Sequence, residues 1–506
     1  MTKNLPPADN TRGLLKSMMI IASAQFLSIL IRILRAKLVA VMLGPSGTGL
    51  LAVFANLQQL GSQAGGLGLP ESGVRDLAAA RGDGDVLGRL RHVLIATLAL
   101  QGGIAMVVIW LMREPLAVWL LGEGRQATEV GLVGVAVLLF LLASSQQTLL
   151  RGMRRIGDLG RVMVLGTAAG AAAGIAAVWL LGKEGLIWFV LVEPLGALLV
   201  GWFYVRRLPL PAQGWLTIVE IWQRWQPMAR LGMAFMLGGL LTTATLLIVR
   251  TLITRDLGLD AAGQFAAAWT ITFTYIGFLI QAMTTDYVPR LIEVIGDRDT
   301  ATRLMNDQMQ LVLAIGGPIL LSMIGLAPWV IRLLYSAEFD AAATVLQWQM
   351  AGAVLMLTAR TIAPVFIAMG RSMMFLYHQL VFNVLFLGTI WLGLPTLGIE
   401  AAGIGFLLAR GLHVIVVSAL AHRFQGFRWQ RSSLQACTIY VLLTLAVLAL
   451  ARAAPLAGAG FSAILGPVTA LIGGHFVLAK IGPHGRLVSR LRTFYAAIGW
   501  PIRSDR

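Results

Sequence analysis

Fourteen apolar runs, each about the 20 residues that a helix needs to cross a bilayer, follow one another through this chain of 506 residues. They fall near 18–43, 47–69, 92–112, 130–150, 162–181, 186–205, 231–254, 263–288, 308–335, 342–369, 373–394, 401–421, 433–451 and 460–480. No other feature constrains the fold as strongly, because only helices and closed barrels satisfy their backbone groups in lipid. Runs this long predict helices. Hydrophobic residues make up 58% of the chain and charged ones 12%, with a mean hydropathy of +0.79. Soluble domains average about 45–50% and about 25%, so a water-soluble globular protein is excluded. The loops are short and leave no room for a large soluble domain. The expected fold class is an all-α polytopic membrane protein with about 14 transmembrane helices.

The formal net charge is +17, from 40 Lys and Arg against 23 Asp and Glu. In a soluble protein that surplus would suggest nucleic acid; here it follows the positive-inside rule. Loops after odd-numbered runs carry few bases (Arg113, Arg125, Lys183, Arg255, Arg452), while the alternate loops are dense in them. Both termini are therefore expected in the cytoplasm, and no nucleic-acid partner is expected. Cys437 is the single cysteine, which excludes an internal disulfide and a thiolate metal cluster. The polar start MTKNLPPADN and the long first run predict a retained helix rather than a cleaved signal. Two segments read as amphipathic rather than spanning: 215–229, with Trp215, Trp222 and Trp225 among bases, as an interfacial helix, and the tail segment 486–500.

An internal repeat is visible at an offset of 214 residues. Segment 35–52 overlays 249–266, so that Leu43-Gly44 falls on Leu257-Gly258, Gly49 on Gly263 and Ala52 on Ala266. Pro70 sits near the counterpart of Pro289. Chance is the competing explanation, since Leu, Gly and Ala abound here. A true repeat predicts two pseudo-symmetric lobes with a site between them. The corresponding organisation is an N-lobe of six spans over 1–207, an interfacial linker over 208–230, a C-lobe of six spans over 231–425, and two extra spans with an amphipathic tail over 426–506.

An ionisable side chain in mid-membrane costs at least about 2.5–3.5 kcal/mol and faces protein or water, so charges inside the runs are the most informative residues. Gln25, Ser28, Arg32 and Arg35 are spaced i, i+3, i+7, i+10 and form one stripe on one helical face. The second run adds Asn56, Gln59 and Gln63 at i, i+3, i+7, and the eighth adds Thr270, Thr274 and Gln281. Arg250, Arg360 and Arg410 lie within runs seven, ten and twelve. The functional reading is a polar cavity lined by arginines for a di- or polyanion, since the planar guanidinium fork suits phosphate. The competing reading is that each base snorkels or pairs structurally, as expected for Arg332 near a run end. Glu193, just before Pro194, reads either as a proton or cation site or as a structural partner for an arginine. His378, His413 and His475 read as satisfied interior histidines, and no pair has metal spacing. There is no GxxxxGK[ST] loop to bind ATP, and no external loop carries a catalytic Ser, His and Asp set, so an enzyme is not expected.

Several motifs carry a resemblance. Segment 34–75, LRAKLVAVMLGPSGTGLLAVFANLQQLGSQAGGLGLPESGVR, resembles the opening of Wzx-type polysaccharide flippases: a basic first helix, LGPxGxGL, a polar second helix and a Gly-Leu-Gly-rich end. Segment 333–349, AMGRSMMFL around Arg371, and GIEAAGIGFLLAR from Gly398 are similar to the same family, and the likeness covers roughly 14–425. It implies the fold of the multidrug and lipid II exporter superfamily: two six-helix lobes, a V-shaped central cavity, and alternating access. It also implies an undecaprenyl-pyrophosphate-linked oligosaccharide as substrate, moved to the periplasmic leaflet of the bacterial inner membrane for O-antigen or exopolysaccharide synthesis. Arg35 holds a place similar to the essential first-helix arginine of the lipid II flippase. No cofactor is implied; a proton or sodium gradient or the membrane potential is the candidate drive. A polysaccharide polymerase and chain-length proteins are the candidate protein partners, with membrane lipids around them. The alternatives are a cation-coupled drug exporter of the same superfamily, which should carry acidic residues where this chain has arginines, and a non-transporting scaffold of a glycan assembly complex.

Overall fold

Breaks between helices organise the chain in its computed structural model, which describes residues 8–208 and 216–481 together with 490, 493, 495 and 497. The described residues contain helices and no strand. They divide into two compact units: 1–263 with 334–336, and 264–333 with 337–506. The first unit holds α1 (Ala8–Gly66), α2 (Leu69–Ala79), α3 (Gly84–Leu111), α4 (Arg113–Leu121), α5 (Ala127–Gly152), α6 (Ile156–Leu181), α7 (Ile187–Val205) and the start of α8 (Ile218–Val294). The second holds the rest of α8, then α9 (Arg298–Leu334), α10 (Asp340–Ile362), α11 (Pro364–Ala368), α12 (Ser372–Leu397), α13 (Glu400–Gln425), α14 (Arg431–Ala453) and α15 (Pro455–Ile481).

The expected apolar runs lie on these helices to within a few residues, except that the run 342–369 spans both α10 and α11. Ten stretches among the described residues are long and apolar enough to cross a membrane. The stretches Ile156–Val205 and Met236–Gln281 each merge two runs. The helix α1 also carries two runs, and neither is among the ten. Large apolar side chains face outward, among them Trp179, Leu180, Leu392, Ile415 and Ile464, as lipid contact requires. Inside the first unit, Val53, Phe54, Leu120, Val133 and Phe189 form a core of their own.

The repeat is written into the backbone. α1 breaks at Gly44 (φ 63°, ψ −162°) and α8 breaks at Gly258 (φ 89°, ψ 172°), at the expected offset of 214 residues. That backbone region is open essentially to glycine alone. After the first break Pro45 starts the next helical segment, where its missing N–H is no loss. The paired glycines also meet: a Cβ at Gly49 would strike the Leu259 carbonyl, and one at Gly263 the Pro45 carbonyl. The second expected match does not hold. The first repeat ends at Leu67 (φ 47°) and Gly68 (φ 65°), with Pro70 opening α2, whereas α8 runs unbroken through Pro289.

The expected interfacial segment is also different in detail. Trp215 lies outside the described residues, as does most of the tail segment 486–500. From Ile218 onward the segment is the first part of α8 and continues into the apolar stretch without a break. A reciprocal cap starts it: Thr217 N donates to Glu220 Oε2 at 2.8 Å, and Glu220 N donates to Thr217 Oγ1 at 3.3 Å. The Thr217 backbone N–H, together with the Thr217 hydroxyl that donates to the same oxygen at 2.8 Å, holds the Glu220 carboxyl below its ordinary range. Trp222 is exposed and stacks near Trp225, with ring centroids 4.7 Å apart.

Candidate functional site: a charged polar cavity in the first unit

The stripe expected on the first run is present. Gln25, Ser28, Arg32 and Arg35 of α1 all line one cavity of about 440 Å³. Opposite them stands Glu193 of α7. Its carboxylate bridges both bases: Arg32 Nη2 donates to Oε1 at 2.7 Å and Arg35 Nη1 donates to Oε2 at 2.8 Å. Of the two readings of Glu193, the structure supplies the arginine partnership. Arg35 also lies over the Phe189 ring at 5.5 Å, a cation–π contact that fixes its direction. The three charged groups sum to +1. Their side chains are 57%, 20% and 23% exposed for Arg32, Arg35 and Glu193, so Arg35 lies deeper and Arg32 reaches the open space.

Small residues place the carboxylate. A Cβ on Gly170 of α6 would run into the Cα and Cβ of Glu193, and one on Gly166 into Ala197. Glycine at those two positions lets α6 and α7 approach backbone to backbone, which carries Glu193 within reach of α1.

A second cavity of about 580 Å³ continues from the first, sharing Ala55, Gln58, Phe140 and Gln147 with it. Gln59, Ser62, Gln63, Ser144 and Thr148 line it, and Glu71 and Arg151 stand in its wall. Ser62 Oγ and Gln63 Oε1 are buried there without a hydrogen-bond partner. Such groups are available to hydroxyls. Gln59 and Gln63 therefore fall where the sequence places them, at a polar wall. Gln58, Ser144, Gln147, Glu71 and Arg151 are additional. The signal for three of them was in the sequence: Ser144, Gln147 and Arg151 repeat the i, i+3, i+7 spacing on α5.

The structure takes other expected residues elsewhere. Asn56 and Arg250 line neither cavity. Arg250 Nη1 donates to the Ala52 carbonyl at 2.8 Å and to Asn56 Oδ1 at 3.1 Å, and Asn56 Nδ2 donates to the Thr243 carbonyl at 3.3 Å. Both side chains are buried and serve as a polar clamp between α1 and α8, the structural alternative to cavity lining. Arg332 pairs with Asp340 at 3.1 Å instead of simply snorkelling. Gln281 is exposed on the second-unit part of α8. Arg360 and Arg410 gather in the second unit beside His378 and His413, whose Nδ1 and Nε2 lie 3.1 Å apart; the two histidines, expected to be satisfied, each keep one buried ring nitrogen without a partner.

This architecture is that of an all-helical, multi-pass membrane protein. Among solved structures, the chain is similar to the lipid II flippase MurJ in an inward closed conformation (TM-score 0.69, 12% identity, 92% of this chain and 99% of that one). It is also similar to an inward-facing multidrug resistance MATE family transporter of the MOP superfamily (TM-score 0.65, 17% identity, 79% and 94%). A third is a MOP superfamily transporter from Pyrococcus furiosus, described as having a binding pocket of reversed polarity (TM-score 0.53, 17% identity, 81% and 94%). At these identities the likeness is one of fold. No curated protein sequence matches the chain. Residues 38–344, more than half of the chain, match the family described as polysaccharide biosynthesis protein, and the chain belongs to that family. The family and the fold agree with the resemblance to Wzx-type polysaccharide flippases.

Proposed function

We propose that the protein is a flippase that carries an undecaprenyl-pyrophosphate-linked oligosaccharide from the cytoplasmic to the periplasmic leaflet of the bacterial inner membrane, with both termini in the cytoplasm. The observation that carries this reading is the Arg32–Glu193–Arg35 bridge at one end of a polar, glutamine-lined space. A carboxylate held between two guanidinium groups occupies the position that a phosphate would take, and a pyrophosphate offers each arginine its own bidentate partner. The sugar hydroxyls would then meet Gln25, Gln58, Gln59, Gln63 and Gln147, and the polyprenyl tail would stay in lipid.

Ligand entry would release Glu193 from both arginines. A freed carboxylate within the membrane is costly as an anion, so it would bind a proton or sodium ion. This makes Glu193 the group through which an ion gradient could drive the cycle. A polymerase and chain-length proteins would take up the product on the far side. The test is export of surface glycan in cells: Arg35→Ala abolishes it at an unchanged level of the protein in the membrane. Wild-type glycan in that variant would refute the role of Arg35.

A further inference from the structure

Three helices of the second unit bring four basic side chains to one buried place. Arg360 comes from α10, His378 from α12, and Arg410 and His413 from α13. His378, Arg410 and His413 are each at most 5% exposed. The guanidinium of Arg410 lies 3.5 Å from the Phe382 ring centroid and 5.1 Å from that of Phe406. Arg360 lies within electrostatic range of both histidines and of Arg410. Trp269, Phe382, Phe386 and Phe406 pack together alongside, so the surroundings are aromatic and poor in polar groups.

The acidic residues of these helices are already paired elsewhere. Between residues 341 and 504 the only acidic residue is Glu400. Glu400 is taken by Arg452 at 2.8 Å, and Asp340, at the start of α10, by Arg332 at 3.1 Å. Neither Arg360 nor Arg410 has an ion-pair partner among the described residues. Donors are also left over. Arg410 Nε, His378 Nε2 and His413 Nδ1 are buried without a hydrogen-bond partner. The histidine pair shares one hydrogen bond between His378 Nδ1 and His413 Nε2. Whichever neutral tautomers are present, the pair then leaves one N–H and one lone pair at its outer ends. Buried charges and donors without partners are strongly unfavourable, and a protein does not keep this many of them idle.

We propose that Arg360, Arg410 and the His378–His413 pair form a binding site for a single monovalent anion, chloride under cellular conditions. The guanidinium groups supply the charge and the histidine pair a neutral N–H donor. One negative charge halves the excess of the two arginines. The aromatic surroundings favour a singly charged, weakly hydrated ion over phosphate, whose two or more charges would need more donors than the cluster holds. The site is separate from the Arg32–Glu193–Arg35 cavity and takes a different ligand. Its role is to let α10, α12 and α13 pack around two buried cations.

The test uses the full chain purified in lipid nanodiscs and radiolabelled chloride as the probe. The wild-type protein binds the label saturably, unlabelled bromide and nitrate displace it, and gluconate and inorganic pyrophosphate do not. Replacing gluconate by chloride at constant ionic strength raises the thermal unfolding midpoint. Arg410→Gln and Arg360→Gln each weaken chloride binding by at least about tenfold, while Arg332→Gln leaves it unchanged. Absence of saturable chloride binding in the wild-type protein would overturn the proposal whatever the variants do. Displacement by pyrophosphate would overturn it too, because the cluster would then belong to the phosphate of the substrate.

Discussion

Arg35 and Arg250 are 215 residues apart, one position off the 214-residue repeat, yet their surroundings give them different work. Arg35 faces a cavity and holds the Glu193 carboxylate; Arg250 is buried and fastens α1 to α8 through Ala52 and Asn56. The two truncations should therefore separate. Arg250→Ala leaves Asn56 Oδ1 and the Ala52 carbonyl without their donor, which costs about 1–3 kcal/mol and lowers the unfolding midpoint. Arg35→Ala leaves that midpoint near the wild-type value and removes transport. Equal midpoints for both would contradict the assignment. Glu193 gives a second prediction at this scale. Glu193→Gln removes the resident anion that competes with the ligand, so calorimetry should show tighter binding of inorganic pyrophosphate, by about fivefold for each ~1 kcal/mol that the ion pair contributes. Weaker binding would mean that Glu193 supports the ligand instead of yielding to it. Helical spacing made the Gln25–Ser28–Arg32–Arg35 stripe legible, since period alone decides which side chains share a face. Partner choice was not legible. The pairing of Arg32 and Arg35 with Glu193 joins residues about 160 positions apart, and nothing local to either segment reports it.

The elements owe their arrangement to glycines at a few positions. Gly44 and Gly258 hold a backbone conformation that a Cβ does not tolerate, and each splits one long helix into two directions. Gly44→Ala and Gly258→Ala should each destabilise the protein by about 1–3 kcal/mol, measured as a lower unfolding midpoint. A neutral result at both positions would remove the argument that these turns are glycine-dependent. The turn at Gly44 was readable from its LGPxG context and from its echo at Gly258. The continuity of α8 from Ile218 was not, because Trp222 and Trp225 among charges read equally well as a separate surface helix or as the polar entry to a spanning one. Pro289 misled for a related reason: proline breaks a helix only where the surrounding packing does not hold it, and the sequence does not carry that packing.

For the whole molecule, apolar length is an additive property, which is why membrane class and helical fold could be read without a structure; the topology expected from loop charge is a proposal. The topology has a direct check. Cys437 is the single native cysteine and is buried, so new cysteines on a Cys437→Ser background report accessibility cleanly. Arg125→Cys and Lys183→Cys should react with an impermeant maleimide added outside intact spheroplasts, and Arg155→Cys and Arg298→Cys only after lysis. The reverse pattern would invert the proposed orientation. Where the substrate sits was less legible, because a cavity is made by several helices at once and only the α1 and α5 stripes announce it. The central claim is that the arginine-bearing cavity turns over a lipid-linked glycan. Its most direct test is the purified protein in liposomes loaded with an undecaprenyl-pyrophosphate oligosaccharide, with an imposed ion gradient or potential, following the rate at which external glycosidase gains access to the sugar. The account predicts protein-dependent exposure that Arg35→Ala eliminates; exposure that proceeds equally well in Arg35→Ala would contradict it.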